Sequence, residues 1–173
     1  MKKSFLMIAT CALIAMSVTS CKEDPKTGAE CLTGAKNGWK LTTAVADPAY
    51  PLEVGAPVTN LLQGFVKDCE LDDILYFQTT KVLMLNPGKD KKTVVDLGEE
   101  SGFGCGTATE ISLGNWELNG DEKSFSSFYL PYFDEKMTNN TIIELTETTL
   151  IVSVTFKDTD SKNYTFTLTY TKQ

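Results

Sequence analysis

The sequence predicts an all-β domain, an antiparallel meander of strands that closes on itself. Segments with alternating apolar and polar residues recur along the chain, and short turns separate most of them. The clearest segment is the last, in which Tyr164, Phe166, Leu168 and Tyr170 occupy one face and threonines the other. A meander that closes removes the unpaired edge strands that the sheet would otherwise present.

The other elements are predicted in chain order. The first strand spans residues 39–45, and the proline-rich residues 47–57 end it. Residues 58–67 place apolar side chains at helical spacing, which predicts one short helix after the first strand. Residues 89–110 lack regular alternation, and we expect a long loop there. Further strands are predicted within residues 71–78, 82–85, 111–118, 125–130, 142–145 and 150–156, with a bulge at Gly114-Asn115 and a hairpin turn at Asn119-Gly120.

The N-terminal segment predicts export and anchoring. A short cationic start and an apolar run lead to Val18-Thr19-Ser20-Cys21, and the run is too short to span a membrane as a helix. This tetrapeptide resembles a bacterial lipobox, in which the cysteine receives a diacylglyceryl group and the signal is cut before it. We therefore expect residues 1–20 to be a lipoprotein signal peptide, Cys21 the lipidation site, residues 21–36 a tether and residues 37–173 the domain. The alternative is an ordinary secretory signal that is cleaved elsewhere.

Charge and composition narrow the function. Without residues 1–20 the chain has 14 lysines and 23 acidic residues, a net charge of about −9, which disfavours nucleic acid and anionic head groups as partners. It has no histidine and no arginine, so triad nucleophiles lose their usual base and histidine-containing metal and haem sites are excluded. We expect no enzyme activity, no metal and no cofactor. A hydrolase that relies on carboxylates alone is the third alternative.

Three cysteines besides Cys21 lie after the signal, and export favours a disulfide between two of them. Cys69 and Cys105 flank the same pair of predicted strands, whereas Cys31 lies in the predicted tether. We therefore predict a bond between Cys69 and Cys105. A thiolate metal site is the alternative, although no pair has Cys-x-x-Cys spacing.

Short motifs carry a family resemblance over residues 37–173. They are Asn37-Gly38-Trp39-Lys40-Leu41, Cys69 with residues 72–77, residues 114–121, residues 144–150 and residues 164–172. In their order and spacing the chain resembles the lipocalin-like lipoproteins of the Bacteroidetes. The resemblance implies an up-and-down barrel of about eight strands, with Trp39 as a plug at one end and a mouth at the other. The arginine that covers this tryptophan in lipocalins is absent, and we expect Lys172 or a neighbouring lysine in its place.

Aromatic side chains on the apolar faces would meet inside such a barrel. A barrel of about eight strands is either filled by side chains or wide enough for one small ligand. The acidic pairs Asp72-Asp73 and Asp121-Glu122, and Asp158 with Asp160, are expected to be solvated turn residues rather than calcium ligands. The residues predicted to line a ligand cavity are Phe77, Trp116, Phe125, Phe156, Phe166 and Tyr170.

The sequence thus predicts a non-enzymatic barrel held at the outer membrane by acyl chains, such as palmitate, on Cys21. Lys22-Glu23-Asp24 resembles the acidic surface-export signal of Bacteroidetes lipoproteins, so the barrel is expected to face either the cell surface or the periplasm. Its expected partners are the membrane and a small apolar or amphiphilic ligand. The alternative is a solid barrel that serves as a structural or protein-interaction module of the envelope.

Overall fold

The computed structural model describes residues 26–52, 55–63, 66, 70–88, 92–97, 100–105, 110–127, 140–157 and 161–173. This part of the chain is mostly β-sheet, with one short α-helix that precedes the first strand. The elements are α1 (Gly28–Thr33), β1 (Trp39–Tyr50), β2 (Val58–Asn60), the 3₁₀ turn η1 (Leu61–Gln63), β3 (Ile74–Phe77), β4 (Val82–Asn86), β5 (Lys92–Leu97), β6 (Glu100–Cys105), β7 (Ile111–Asn115), β8 (Glu117–Leu118), β9 (Phe125–Ser127), β10 (Asn140–Leu145), β11 (Thr149–Lys157) and β12 (Asn163–Lys172).

One antiparallel sheet forms the body of the domain. Its strand order is β10-β11-β12-β1-β3-β4-β7, and β2 pairs with the second half of β1. The last strand pairs with the first, from Trp39 opposite Lys172 to Asp47 opposite Thr165. The sheet curls into a half-barrel, which confirms the predicted all-β, barrel-like fold class.

The hairpin β8–β9 links the two edges of this sheet. Only Trp116 separates β7 from β8, and β9 lies beside β10. The backbone N–H of Phe125 donates to the side-chain oxygen of Asn140 at 2.7 Å, and the Asn140 amide donates to the Phe125 carbonyl at 2.9 Å. The Ile142 N–H donates to the Lys123 carbonyl at 2.7 Å. The side chain of Asn140 therefore continues the hydrogen bonding from β9 to β10.

The core lies on the concave side of the sheet. Leu150, Val152 and Val154 of β11 are fully buried, and so are Phe166 and Leu168 of β12. Val152 lies directly opposite Leu168, so the two apolar rows pack in register. The burial of these alternating rows is the period-of-two pattern that the sequence predicts for the C-terminal strands.

The first helix corrects the predicted tether. The predicted tether, residues 21–36, contains α1, and its Leu32 is buried in the core. Thr27 caps this helix, because its hydroxyl accepts from the Glu30 N–H at 3.2 Å while the Glu30 carboxylate accepts from the Thr27 N–H at 2.7 Å. The packed domain therefore begins before residue 37.

The predicted helix over residues 58–67 is wrong. Residues 58–60 form β2, and η1 follows as the single helical turn among the described residues of this range. The apolar residues at helical spacing include Leu61 and Val66, which are buried without forming a helix over the whole range. The β-branched pair Val58-Thr59 favours an extended backbone. The Asn60 side chain accepts from the Leu62 N–H at 3.2 Å, which starts the turn immediately after the strand.

Residues 89–110, predicted as a loop, contain the hairpin β5–β6. It pairs residues 92–97 with residues 100–105 without a register shift. The run Thr93-Val94-Val95 favours a strand, whereas the glycines of β6 hide the alternation in the sequence.

The predicted bulge and hairpin around β7 and β8 are both present. The β4–β7 register shifts between Leu83 and Met84, beside Gly114, whose φ is +102°. The turn that begins at Asn119 is longer than a two-residue turn, because the Asn119 N–H donates to the Ser124 carbonyl at 2.9 Å.

Candidate functional site

The half-barrel has two different ends. The end against which α1 packs is called the helix end, and there β1 begins, β12 finishes and the β10–β11 turn lies. The opposite end is called the aromatic end, and its cluster of aromatic side chains includes, among the described residues, Tyr50, Phe156, Tyr164 and Phe166.

At the helix end, α1 covers Trp39. This side chain is fully buried, and its indole N–H donates to the Leu32 carbonyl at 2.9 Å. Leu32 and Ala35 are buried against it in the same cluster. The contact is both apolar and hydrogen-bonded, which fixes the angle at which the helix crosses the end of the sheet.

Two turns of the sheet also bind the start of α1. The Glu122 carboxylate, in the β8–β9 turn, accepts from the Gly28 N–H at 2.8 Å. Lys26 Nζ lies 2.9 Å from the carboxylate of Glu147, in the β10–β11 turn. Lys26 lowers the pKa of Glu147, and the hydrogen bonds from Thr27 lower the pKa of Glu30. Helix α1 is therefore tied to the sheet by contacts with two separate turns.

Lysines lie near both tryptophans. Lys172 is opposite Trp39 in the β1–β12 pair, so the two side chains share one face of the sheet. Lys81 Nζ lies 4.1 Å from the ring centroid of Trp116, whose indole N–H donates to the Gln78 carbonyl at 3.1 Å. The cation stacked on a tryptophan in the described part of the chain is thus Lys81.

Three of the predicted cavity residues pack together inside the sheet. Phe77 contacts Trp116 edge-on with ring centroids 5.4 Å apart, and it stacks on Phe125 at 5.9 Å. All three are almost completely buried. They fill the space between β3, β8 and β9 with side chains.

At the aromatic end, the rings of the cluster contact each other closely. Phe156 lies 4.7 Å from Phe166 and stacks on Tyr164 at 5.6 Å, while Tyr50 meets the edge of Tyr164 at 5.1 Å. Tyr164 and Phe166 are buried, but Tyr50 and Phe156 are only half-buried. This end therefore presents aromatic surface to the outside.

Tyr170 is the sixth predicted cavity residue and the most unusual polar one. It lies on the inward face of β12 opposite Leu41 and Leu150, and it is fully buried. Its hydroxyl has no hydrogen-bond partner, the one orphaned tyrosine hydroxyl among the buried side chains that the structure describes. Burial raises the pKa of Tyr170, so the phenol stays protonated and is available as a donor.

The six predicted cavity residues do not form one lining. Phe77, Trp116 and Phe125 make one cluster, and Phe156 and Phe166 belong to another together with Tyr50 and Tyr164. That Tyr164 faces the inside of the sheet could be predicted from its place in the alternation of β12. The position of Tyr50 could not be predicted, because it stands between Pro48 and Pro51, in the stretch predicted to end the first strand.

Two of the surface cavities in the described part of the chain lie beside α1 and beside β1. One, of about 270 Å³, lies along α1 and β10, with Cys31 and Leu145 in its wall. Another, of about 240 Å³, is an outer groove between β1 and η1 that Val45, Thr59 and Leu62 line. Val45 is 47% exposed, which gives this groove an apolar wall open to solvent.

The cysteine prediction falls mostly outside the described residues. Cys69 lies outside them, and of Cys105 only the backbone, at the end of β6, is described. Among the described side chains no disulfide is present, and Cys31 is a buried free thiol whose pKa is raised by burial. The bond between Cys69 and Cys105 stays a prediction, and Cys21 also lies outside the described part.

The acidic pairs lie in turns. Asp121 is exposed, and its carboxylate accepts from the Lys123 N–H at 3.1 Å, while Glu122 binds α1. Asp73 is buried just before β3, so the prediction of a solvated turn residue is wrong at this position, where the start of the strand packs into the sheet. In the described ranges, no group of three or more acidic or cysteine side chains is arranged to hold a metal ion. Asp158 and Asp160 lie outside those ranges.

Comparisons of this chain with protein-family models, with curated proteins and with solved structures found no match. The resemblance to lipocalin-like lipoproteins therefore rests on the motifs quoted above. Of the helices that the structure describes, none has the length and apolar character needed to cross a membrane.

Proposed function

We propose that this protein is a lipid-anchored binding protein that holds a small apolar or amphiphilic molecule at the aromatic end of its half-barrel. The observation that carries the proposal is the difference between the two ends. The helix end is closed by α1 over Trp39, whereas the aromatic end exposes parts of Tyr50 and Phe156. Partly exposed aromatic rings at the end of a curled sheet are a surface on which an apolar ligand gains burial.

Polar chemistry inside the sheet supports an amphiphilic rather than a purely apolar ligand. The Tyr170 hydroxyl is buried without a partner among the described residues, and an orphaned buried donor costs about 1–3 kcal/mol. A ligand with an acceptor at its inner end would recover that hydrogen bond. Tyr170 lies four residues along β12 from Phe166, about 13 Å, so a ligand seated on the aromatic end would have to extend inward past Leu168 for its acceptor to reach this hydroxyl.

Binding is tested with dansylated undecanoic acid and the non-acylated chain Cys21→Ser. The probe is expected to bind with increased fluorescence, and Phe156→Ala should weaken binding by roughly tenfold, the effect of losing a contact of about 1.4 kcal/mol. Ile143→Ala is the matched control, because Ile143 is an apolar residue 59% exposed on β10 and outside the cluster. Equal affinities for the two variants would contradict a site at the aromatic end.

Anchoring is tested by Cys21→Ala. More than one acyl chain is required for stable membrane anchoring, and this substitution removes their attachment point. The protein is expected to leave the membrane fraction and to lose labelling by a fatty-acid probe. Retention of both would contradict the lipoprotein assignment, whatever the barrel binds.

The outer groove favours a second candidate, a protein-interaction module of the envelope. Val45 and Leu62 give this groove apolar walls on the side of β1 that faces away from the core. Under this alternative the interior is simply filled by side chains. Val45→Lys would then abolish co-purification of a partner, and the fatty-acid probe would not bind the wild-type chain.

A further inference from the structure

The membrane anchor and helix α1 together constrain how the domain stands on a membrane. This inference rests on the proposed lipidation of Cys21. It adds the direction in which the proposed binding site points, which neither the anchor nor the fold specifies alone.

The start of α1 is held against the sheet. Lys26 pairs with Glu147, Gly28 donates to Glu122, and Leu32 is buried beside Trp39. These contacts reach two turns of the sheet and the first residue of β1. The chain is therefore attached to the helix end from residue 26 onward.

The chain between Cys21 and the fixed start of α1 is short. Only five residue steps separate Cys21 from Lys26, and a fully extended chain covers about 18 Å over that length. The tether predicted from sequence, with 16 residues, would have reached roughly 55 Å. The fixed helix thus shortens the maximal reach of the anchor about threefold.

The sheet is longer than the reach of this tether. Strand β12 has 10 residues and spans about 33 Å between the aromatic end and the helix end. Because the sheet is longer than this reach, a lipid attached within about 18 Å of the helix end does not allow the domain to stand on its aromatic end while α1 stays in place.

We infer that the helix end faces the membrane and that the aromatic end points away from it. The partner of the helix end is the lipid surface to which Cys21 is attached. The proposed ligand consequently enters from the aqueous side, or from another molecule, and not from the bilayer that holds the anchor.

Energy transfer on vesicles tests this orientation. An azide-bearing amino acid at Thr148 or at Lys157 carries the donor dye, and the acceptor is a headgroup-labelled lipid in phosphatidylcholine vesicles. Both sites are exposed, and they flank the two ends of β11. The acylated chain labelled at Thr148 is expected to transfer energy at least about twofold more efficiently, because the strand separates the two dyes by roughly 30 Å.

Two further arms separate the possible failures. If the acylated chain does not bind vesicles at all, the anchor itself is wrong. If it binds but the two labels transfer equally, or Lys157 transfers more, the orientation is overturned while the anchor stands. A flexible ten-residue insertion after Asp24 should reduce the difference between the labels, since it restores the reach that α1 removes. An insertion that changes nothing would contradict the role of the short tether.

Discussion

The two ends of the half-barrel are built from the same kinds of residue but in different states. At the helix end, aromatic side chains are sealed: Trp39 is fully buried and donates to Leu32. At the aromatic end, Tyr50 and Phe156 pack on buried neighbours and still expose part of their rings. Aromatic content alone therefore does not identify a binding site. Among the described residues, the two ends differ because α1 covers Trp39, whereas Tyr50 and Phe156 stay partly exposed.

The largest effect is expected from Trp39→Ala. The substitution removes a fully buried indole and leaves a cavity under α1, so it should lower the free energy of unfolding by about 3–5 kcal/mol. Denaturant unfolding measures this, with Phe156→Ala as the comparison at the other end. Binding of the fatty-acid probe by the folded Trp39→Ala chain should be unchanged. A loss of stability under about 1 kcal/mol would contradict a sealed helix end.

Asn140→Ala should have the next largest effect. It leaves the buried N–H and carbonyl of Phe125 without the amide that now satisfies them, at a cost of about 2–3 kcal/mol. Thermal or denaturant unfolding checks the value. Asn163→Ala is the control, because it removes the same side chain from an exposed position at the start of β12. If the two substitutions cost the same, Asn140 does not link the edges of the sheet.

Gly38→Ala tests the entry to the helix end. Gly38 has a φ of +79°, and an added Cβ would lie 2.7 Å from the Leu75 carbonyl oxygen, so we expect a loss of about 1–2 kcal/mol. Gly120→Ala is the matched control, because a Cβ there has no atom within 4 Å. Similar stabilities of the two variants would show that the approach of β1 to β3 is not tight at this point.

Acid should loosen the contacts of α1, with the smallest effect. The pKa values of Glu30 and Glu147 lie below their ordinary value of 4.5 when the protein is folded. Their contribution is therefore fully present above about pH 4.5 and is lost as the pH falls through the lowered values. Protection of the α1 amides from hydrogen exchange should decrease over that range. Glu147→Gln should remove part of this pH dependence, and an unchanged profile would contradict the role of the Lys26 pair.

The strands were predictable where one face is buried and the other is solvated. β11 and β12 alternate strictly in sequence, and their burial alternates in the same way. Helix α1 was missed because it is short and has no apolar period. Its stability comes from contact with the sheet, although Thr27-x-x-Glu30 carries a capping-box signature.

The candidate site was predictable only in part. Phe156 and Phe166 follow from strand alternation, because the inward face of a strand can be read from its sequence. The separation of the predicted cavity residues into two clusters could not be predicted from the sequence, because it depends on which strands pair and on where α1 lies. Tyr50 joins the aromatic end only because β1 continues through Pro48.

The most direct test of the account is the response of the two indole N–H signals in an NMR titration of the Cys21→Ser chain with dansylated undecanoic acid. Trp39 and Trp116 donate to the backbone carbonyls of Leu32 and Gln78, so each signal reports on its own sealed environment. Both indole signals are expected to stay in place while the ring signals of Tyr50 and Phe156 shift with ligand concentration. Movement of the Trp39 signal with no change at Tyr50 and Phe156 would contradict a site at the aromatic end, because the ligand would then lie at the helix end.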